Sequence, residues 1–462
     1  MRVALDALVD WARRRERALT LGVIAAAAAL RAVLVAWCPV PFGYVWDPYY
    51  AGVAIIFFSR RLPVAEDCWP CFHPPLYYLL GWPFFAVGRW LHPDTDAAAL
   101  RALGGLALVS AAVTIYYGQR LLRFFRCRGA SYLLGLTLLL VFPCLFISSY
   151  VPEADIVLTA ILTIFLYDLV RYCAQPSLAR PLDVARIGLL AGCAAATKYS
   201  GLLVFPTIAI AMALLVVRPR IRRRMTVRRM ALHAAVMLSI GIALGSWKYI
   251  DNVRRYGELL HANGSASDGF TLAGGRARGA PYEFTTLRLT ELRRLFGPRP
   301  PAGELTTFPV YSSVWTSLHA LAWSDMSFFS VQSRHGDPSH PYPRKAIPVG
   351  LVMSVILLGF VPELLAAVGF ARALRHPTTW PIAIFVALSV ASYVWWFLPQ
   401  QAWALKTKYI LFLLPGGVFY ALAGLGWLRR RLPLVAALAG ILLLALVAVT
   451  HIYLFAFAIG HL

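Results

Sequence analysis

The chain has 462 residues, 60% apolar and only 14% charged, a balance that excludes a soluble globular protein of this length. Its net charge of +23 comes from 44 lysines and arginines against 21 acids. That excess does not describe a nucleic-acid surface, because the basic residues cluster beside apolar spans, as in the cytoplasmic loops of membrane proteins.

Composition therefore predicts an all-α polytopic membrane protein. Internal repeats, low-complexity tracts and a nucleotide-binding glycine loop are absent from the sequence. The opening stretch, WARRRERALTLGVIAAAAALRAVLVAWC, has an apolar run longer than a signal core, and no small-residue cleavage site follows it. It is expected to form the first membrane helix, over 18–38. Basic clusters at 13–17, 120–128, 171–186, 218–229, 372–376 and 429–431 each abut the end of an apolar span and mark the cytoplasmic side.

Parity then orders the chain. The segment 39–97 begins outside, and the span 98–119 returns to the inside at Arg120 and Arg123. The apolar stretch 74–91 cannot cross without reversing that assignment, so it is expected to lie as an interfacial or re-entrant helix on the outer face. Further spans are expected at 130–149, 152–172, 184–198, 199–217, 230–250, 346–371, 378–398, 407–427 and 432–457. Together they make about eleven crossings of the ~30 Å hydrocarbon core. Three parts result: an N-terminal catalytic membrane module over 1–250 that includes the first external loop, a long extracytoplasmic loop over 251–345, and C-terminal membrane helices over 346–462.

On the outer side the polar chemistry is varied, whereas the inner loops hold arginines and little else. Asp47, in YVWDPYYAGVAIIFF, precedes Pro48 and a short surface helix expected from Tyr50 to Phe58, with Arg60 and Arg61 at its end. Two readings stand for it: a helix cap with proline at the first helical position, or a functional carboxylate. Next come two cysteines in CWPC, Cys68 and Cys71, with His73 close behind. A local disulfide, free thiols, and redox or metal chemistry are the alternatives for that pair. His73, before Pro74 and Pro75, is read either as a ligand for substrate or as part of a structural turn.

Glu153 and Asp155 in VPEAD sit at a helix N-terminus, where acids complement the helix dipole. One acid suffices for that purpose. The other, with Glu153 favoured, is a candidate to face an acceptor or a divalent metal ion. Lys198 ends the span 184–198, whose first 14 residues rise only ~21 Å. Either the helix begins nearer Pro181, or Lys198 lies below the outer surface in a cavity, where an ionisable residue marks function. Other outer cations are Lys248, Lys406 and Lys408. In the long loop, 282–296 has the pattern of a surface helix, the aromatic part 308–329 is a candidate acceptor groove, and His335, Asp337 and His340 read as solvated.

Four segments occur in an order that resembles the polyprenyl-phosphate-sugar-dependent glycosyltransferases of type C (GT-C) fold. These include protein O-mannosyltransferases and the lipid A aminoarabinose transferase. The segments are Asp47 with the surface helix and HPPLYYLL (73–80), SSYVPEADIVLTAILTIFLYDLVRY (148–172), GLLAGCAAATKYSGLL (188–203), and KTKYILFLLPGG (406–417). Eleven crossings also suit the O-mannosyltransferase branch. The resemblance implies a GT-C-like bundle with interfacial helices in the first external loop.

It further implies that Asp47 is the general base on an acceptor hydroxyl, with Glu153 a second catalytic candidate. It puts Lys408 where a cation holds the donor phosphate; Tyr50, His73, Asp155, Lys198, Lys406 and Tyr409 are the further candidate substrate-binding residues. The sequence departs from the family pattern in two places. Pro48 stands where a Glu often follows the Asp, leaving Glu66 or Asp67 as substitutes, and Lys408 stands where an Arg usually precedes the Tyr. The implied partners are a polyprenyl-phosphate sugar, a protein, glycan or lipid acceptor, and the bilayer, with no nucleic acid and no cofactor beyond a divalent metal ion. The expected place is a bacterial inner membrane, with the site facing the periplasm.

The chemistry is consistent with such a site. A lipid phosphate is already a good leaving group, so an inverting transfer needs one carboxylate to take a proton and cations to receive charge on the phosphate. A transporter or flippase for an anionic lipid, and a membrane thiol oxidoreductase built on Cys68 and Cys71, are the rival classes.

Overall fold

A computed structural model describes residues 15–37, 49–94, 96–218, 225–261, 314–324, 347–394 and 407–460. Asp47, Lys406, the 282–296 segment, His335, Asp337 and His340 lie outside the described residues, as does the side chain of Lys408. The described residues are helical throughout and contain no strand.

The helices follow in order: α1 (Glu16–Trp37), α2 (Tyr49–Ser59), α3 (Leu76–Leu91), α4 (Asp96–Phe124), α5 (Ala130–Val141), α6 (Pro143–Ser148), α7 (Ala154–Ala174) and α8 (Pro181–Ala195). The remainder are α9 (Val204–Val216), α10 (Val227–Gly245), α11 (Trp247–Tyr256), α12 (Val314–Ala322), α13 (Val349–Ala373), α14 (Trp380–Ser392), α15 (Leu414–Arg431) and α16 (Pro433–Gly460). Among the described residues, seven helices are long and apolar enough to cross a membrane: α4, α7, α9 with the turn before it, α10, α13, α15 with the turn before it, and α16. Helix α1 fills the expected first span at 22 residues, and helices occupy the other expected places but shorter or interrupted.

The interruptions have local causes. The expected span 130–149 is broken where Phe142 leaves the helical region (φ −58°, ψ 116°) and Pro143, which has no N–H to donate, starts α6. The expected span 230–250 ends at Ser246, after which the polar, amphipathic α11 begins and runs to Gly257 in the left-handed region. The helix carrying Lys198 does start earlier, at Pro181, where the Asp183 carboxylate accepts from the Arg180 N–H at 2.9 Å.

Two apolar cores meet on α7. One gathers α2, α3, α4, α5, α13, α15 and α16, and the other gathers α8, α9 and α10. Almost every residue of α7 is buried, so protein surrounds it on all sides. Helix α3 packs along α2 and α4 and turns Leu79, Trp82, Val87 and Trp90 outward, which suits the expected interfacial position.

A group of arginines shares one end of the bundle. Arg120 and Arg171 lie over the Tyr167 ring, Arg186 pairs with Asp168, Arg218 covers Trp380, and Arg372 covers Trp427. Every candidate site residue that the structure describes lies at the opposite end.

Candidate functional site

At that opposite end, α7 begins directly after Pro152 and Glu153, placing Asp155 in its first turn. Helix α8 ends at Ala195, and the chain reaches Lys198 in an extended conformation (φ −160°, ψ 154°) before turning into 199–203. Lys198 Nζ then donates to both oxygens of Asp155, at 2.7 and 2.9 Å, with both residues buried. The ring of Tyr409, entering from the turn before α15, lies 4.5 Å from the same ammonium. Carboxylate and π-face together satisfy a charge that would otherwise be costly to bury. Lys198 is thus buried within this end of the bundle, not extended to its surface.

Glu153 is buried beside this pair, and its charge reaches the hydroxyl of Tyr77 on α3. Burial first, and the Glu153 carboxylate second, hold the Tyr77 phenol well above the usual tyrosine range. His73 stands in an aromatic frame, stacked on Tyr49 at 6.0 Å and edge-on to Tyr199 at 5.7 Å, with Phe72 alongside. Tyr50 is half-buried against the main core. Glu153, Asp155, Lys198, Tyr409 and His73 therefore lie at one end of the bundle, although more than 300 positions separate His73 from Tyr409.

The remaining acids and the cysteines hold the first loop in place. Cys68 and Cys71 are joined in a disulfide, with Cys71 fully buried. Asp67 accepts from Arg61 through both oxygens at 2.6 Å and also from the Val64 N–H at 2.8 Å. The Arg61 hydrogen bond holds the Asp67 carboxyl below its usual range. Glu66 accepts from the Tyr256 hydroxyl on α11 at 2.8 Å, which lowers its pKa in the same way. Both acids are thus engaged in hydrogen bonds within the loop and to α11.

For a divalent metal ion, the donors brought together are few. Among the described residues no group of three His, Cys, Asp or Glu side chains is placed to hold one, and both Asp155 oxygens serve an ammonium.

Three contributors went unrecognised in the sequence. Tyr199 accepts from Asn252 at 2.9 Å and lies 2.9 and 2.7 Å from the carbonyls of Phe72 and His261, to one of which it donates. It ties the first loop to α11, and its position next to Lys198 was the available signal. Tyr77, inside HPPLYYLL, is fully buried within reach of the Glu153 charge. Glu363, an acid in the apolar run VILLGFVPELLAAVGF, accepts from Trp323. An ionisable residue within a membrane helix marks a position to examine.

Lys248 on α11 is almost fully buried, 3.9 Å from Asp251. Burial depresses its pKa, against the opposing pull of Asp251, Glu66 and Asp67.

No family model matches the sequence, and no curated protein matches it. Among solved structures the chain is similar to ArnT from Cupriavidus metallidurans in the apo state, with 17% identity and a TM-score of 0.37, covering 87% of this chain and 76% of that one. It is similar also to ArnT from the same organism bound to undecaprenyl phosphate, with 14% identity and a TM-score of 0.37, covering 89% and 77% of the two chains.

Proposed function

We propose that this chain is an integral membrane glycosyltransferase of GT-C type. It would move a sugar from a polyprenyl-phosphate donor to an acceptor hydroxyl on the extracytoplasmic side. One observation carries the reading: segments far apart in sequence converge on a recessed ammonium, Lys198, held by Asp155 and roofed by Tyr409.

In the proposed reaction Asp47 takes the proton from the acceptor hydroxyl. The freed oxygen attacks the anomeric carbon from the face opposite the phosphate and inverts it. The carbon–oxygen bond to the phosphate breaks, and the bonding pair stays on the lipid phosphate. Lys198 would receive that charge, with Lys406 and Lys408 as further cations. Because Lys198 is already paired, the phosphate must share it with Asp155 or displace that carboxylate. His73 and Tyr50 are the candidate contacts to sugar or acceptor. Glu153 beside Tyr77 is the second acid of the proposed site.

The test is sugar release from a panel of labelled polyprenyl-phosphate sugars, mannose first, in membranes carrying wild type, Asp47→Asn, or Cys68→Ser with Cys71→Ser. Wild type and the cysteine variant should consume one donor. Asp47→Asn should be slower by about two to four orders of magnitude, the usual worth of a general base. Turnover that survives Asp47→Asn unchanged removes Asp47 from the mechanism. Loss of turnover in the cysteine variant alone assigns the disulfide to holding the first loop, whereas no donor cleavage with thiol oxidation that needs both cysteines favours a thiol oxidoreductase, and movement of donor across the bilayer without cleavage favours a transporter.

A further inference from the structure

The roof over Lys198 is braced from a direction unrelated to the site's own acids. Helix α13 carries Glu363, about 21 Å along the axis from its first turn. Trp323 Nε1–H donates to Glu363 Oε1 at 2.9 Å, and His319 Nδ1 meets Oε2 at 2.8 Å. The other ring nitrogen of His319 lies 2.8 Å from the Ile356 carbonyl, which can only accept, so Nε2 carries a hydrogen. The Nδ1–Oε2 contact must then hold one shared proton, on the imidazole or on the carboxyl. Phe360 stacks on the imidazole at 3.6 Å, and Gly359 leaves room for the Trp323 ring, which a Cβ there would strike. His319 and Trp323 are both buried. Helix α12 is thereby fastened to α13 at several points.

From α12 the connection continues. The Leu318 carbonyl accepts from Thr407 Oγ1 at 2.7 Å. Thr407 opens the turn that places Tyr409 over Lys198 two residues later. Behind that turn lies an apolar cavity of about 280 Å³, bounded by Phe142, Trp323, Glu363, Thr407, Ile410 and Leu414 among others. The turn borders that cavity through Thr407, Ile410 and Leu411, so on that side it has less protein to pack against. The turn is irregular as well, with Ile410 at φ −122° and ψ 16°. The Thr407 hydroxyl ties this irregular turn to α12.

We infer that Glu363, His319, Trp323 and Thr407 are positioning residues for the Lys198 site: a hydrogen-bonded strut from α13 through α12 that sets the Tyr409 ring on the ammonium. None of them touches the reacting atoms. Their bearing on donor binding rests on the proposed glycosyltransferase reading, whereas their hold on Lys198 does not.

The experiment has two arms, both on the full chain in nanodiscs. The first measures the rate at which an amine-reactive reagent modifies Lys198, read by peptide mapping with no ligand added. The second measures affinity for undecaprenyl phosphate. Thr407→Val should speed Lys198 modification and weaken undecaprenyl phosphate binding, each by up to about tenfold, the worth of one hydrogen bond. Thr407→Ser, which restores the hydroxyl, should match wild type in both arms. At the far end of the strut, Glu363→Leu should act in the same direction. Glu363→Gln should match wild type, since its amide accepts from Trp323 and donates to His319 Nδ1. If Thr407→Val or Glu363→Leu leaves Lys198 modification unchanged, the strut is refuted. If wild type binds no undecaprenyl phosphate, the donor reading fails, and the modification arm alone decides whether the strut exists.

Discussion

Lys198 and Lys248 are both buried ammonium groups, and they solve the problem of burial differently. Lys198 is satisfied by two carboxylate oxygens and a ring face. Lys248 has Asp251 only at 3.9 Å, and Asp251 is better engaged by Arg255 at 2.8 Å. Removing Lys248 therefore orphans no acid. Lys248→Met should stabilise the protein by roughly 1 kcal/mol, at the low end of what replacing a buried charge yields, and raise the thermal midpoint accordingly. The pH dependence has a definite sign. Burial lowers the folded pKa below its ordinary 10.5, so the cost of the charge is full below the folded pKa. Between that pKa and 10.5 the unfolded chain binds more protons, and stability rises with pH. The gap between Lys248→Met and wild type should accordingly be wide at pH 7 and narrow toward pH 10 in thermal unfolding. A variant less stable than wild type at pH 7 would mean that Lys248 has a partner in the folded protein that outweighs its burial.

Helix pairs show how the chain trades side chains for proximity. Helices α13 and α15 cross so closely that a Cβ on Gly369 would strike the Tyr420 carbonyl, and one on Gly424 the Leu365 carbonyl. These obstacles are backbone, which cannot rotate aside, and small residues at such crossings let helices approach in lipid. Gly424→Ala should destabilise the protein by at least about 1–3 kcal/mol, the usual range for overpacking. The fall should be visible as a lower thermal midpoint in detergent, whereas Gly426→Ala, on the opposite face of the helix with open space around it, should not lower the midpoint. The break between α5 and α6 has its own fastening: Arg31 of α1 donates to the Leu140 carbonyl at 2.8 Å and lies over the Phe146 ring. A cation at a helix C-terminus complements its dipole. The proline behind that break was visible in the sequence. The arginine partner, more than a hundred positions away, was not.

Across the whole molecule, the loop that follows α2 is held against the bundle by polar contacts at its rim. The Leu76 N–H donates to the Ala196 carbonyl, Tyr199 joins the carbonyls of Phe72 and His261, and Glu66 holds Tyr256. Glu66 and Asp67 both have depressed pKa values in the folded protein. Their contribution is present above the ordinary carboxylate values of 4.5 and 3.8 and is lost as pH falls through the lower folded ones. Amide exchange over residues 62–75, corrected for the intrinsic rate, should show protection at pH 6 that declines below about pH 4. Tyr256→Phe should reduce that protection at pH 6 and leave less to lose on acidification. Equal protection at pH 6 and pH 3 would show that these acids do not hold the loop.

Hydrophobicity and charge act locally, which is why the sequence by itself determined the membrane class, the arginine-rich end, the short helix after Asp47 and the approximate place of each span. Each of those depends on a residue and its near neighbours in the chain. The tertiary structure decided which long-range partners meet. It paired Lys198 with Asp155 beneath Tyr409, gave Glu66 and Asp67 to loop docking, and set Glu363 against His319 and Trp323. A buried polar group needs a partner, and composition can predict that need. Only the packing of helices remote in sequence selects the partner that meets it.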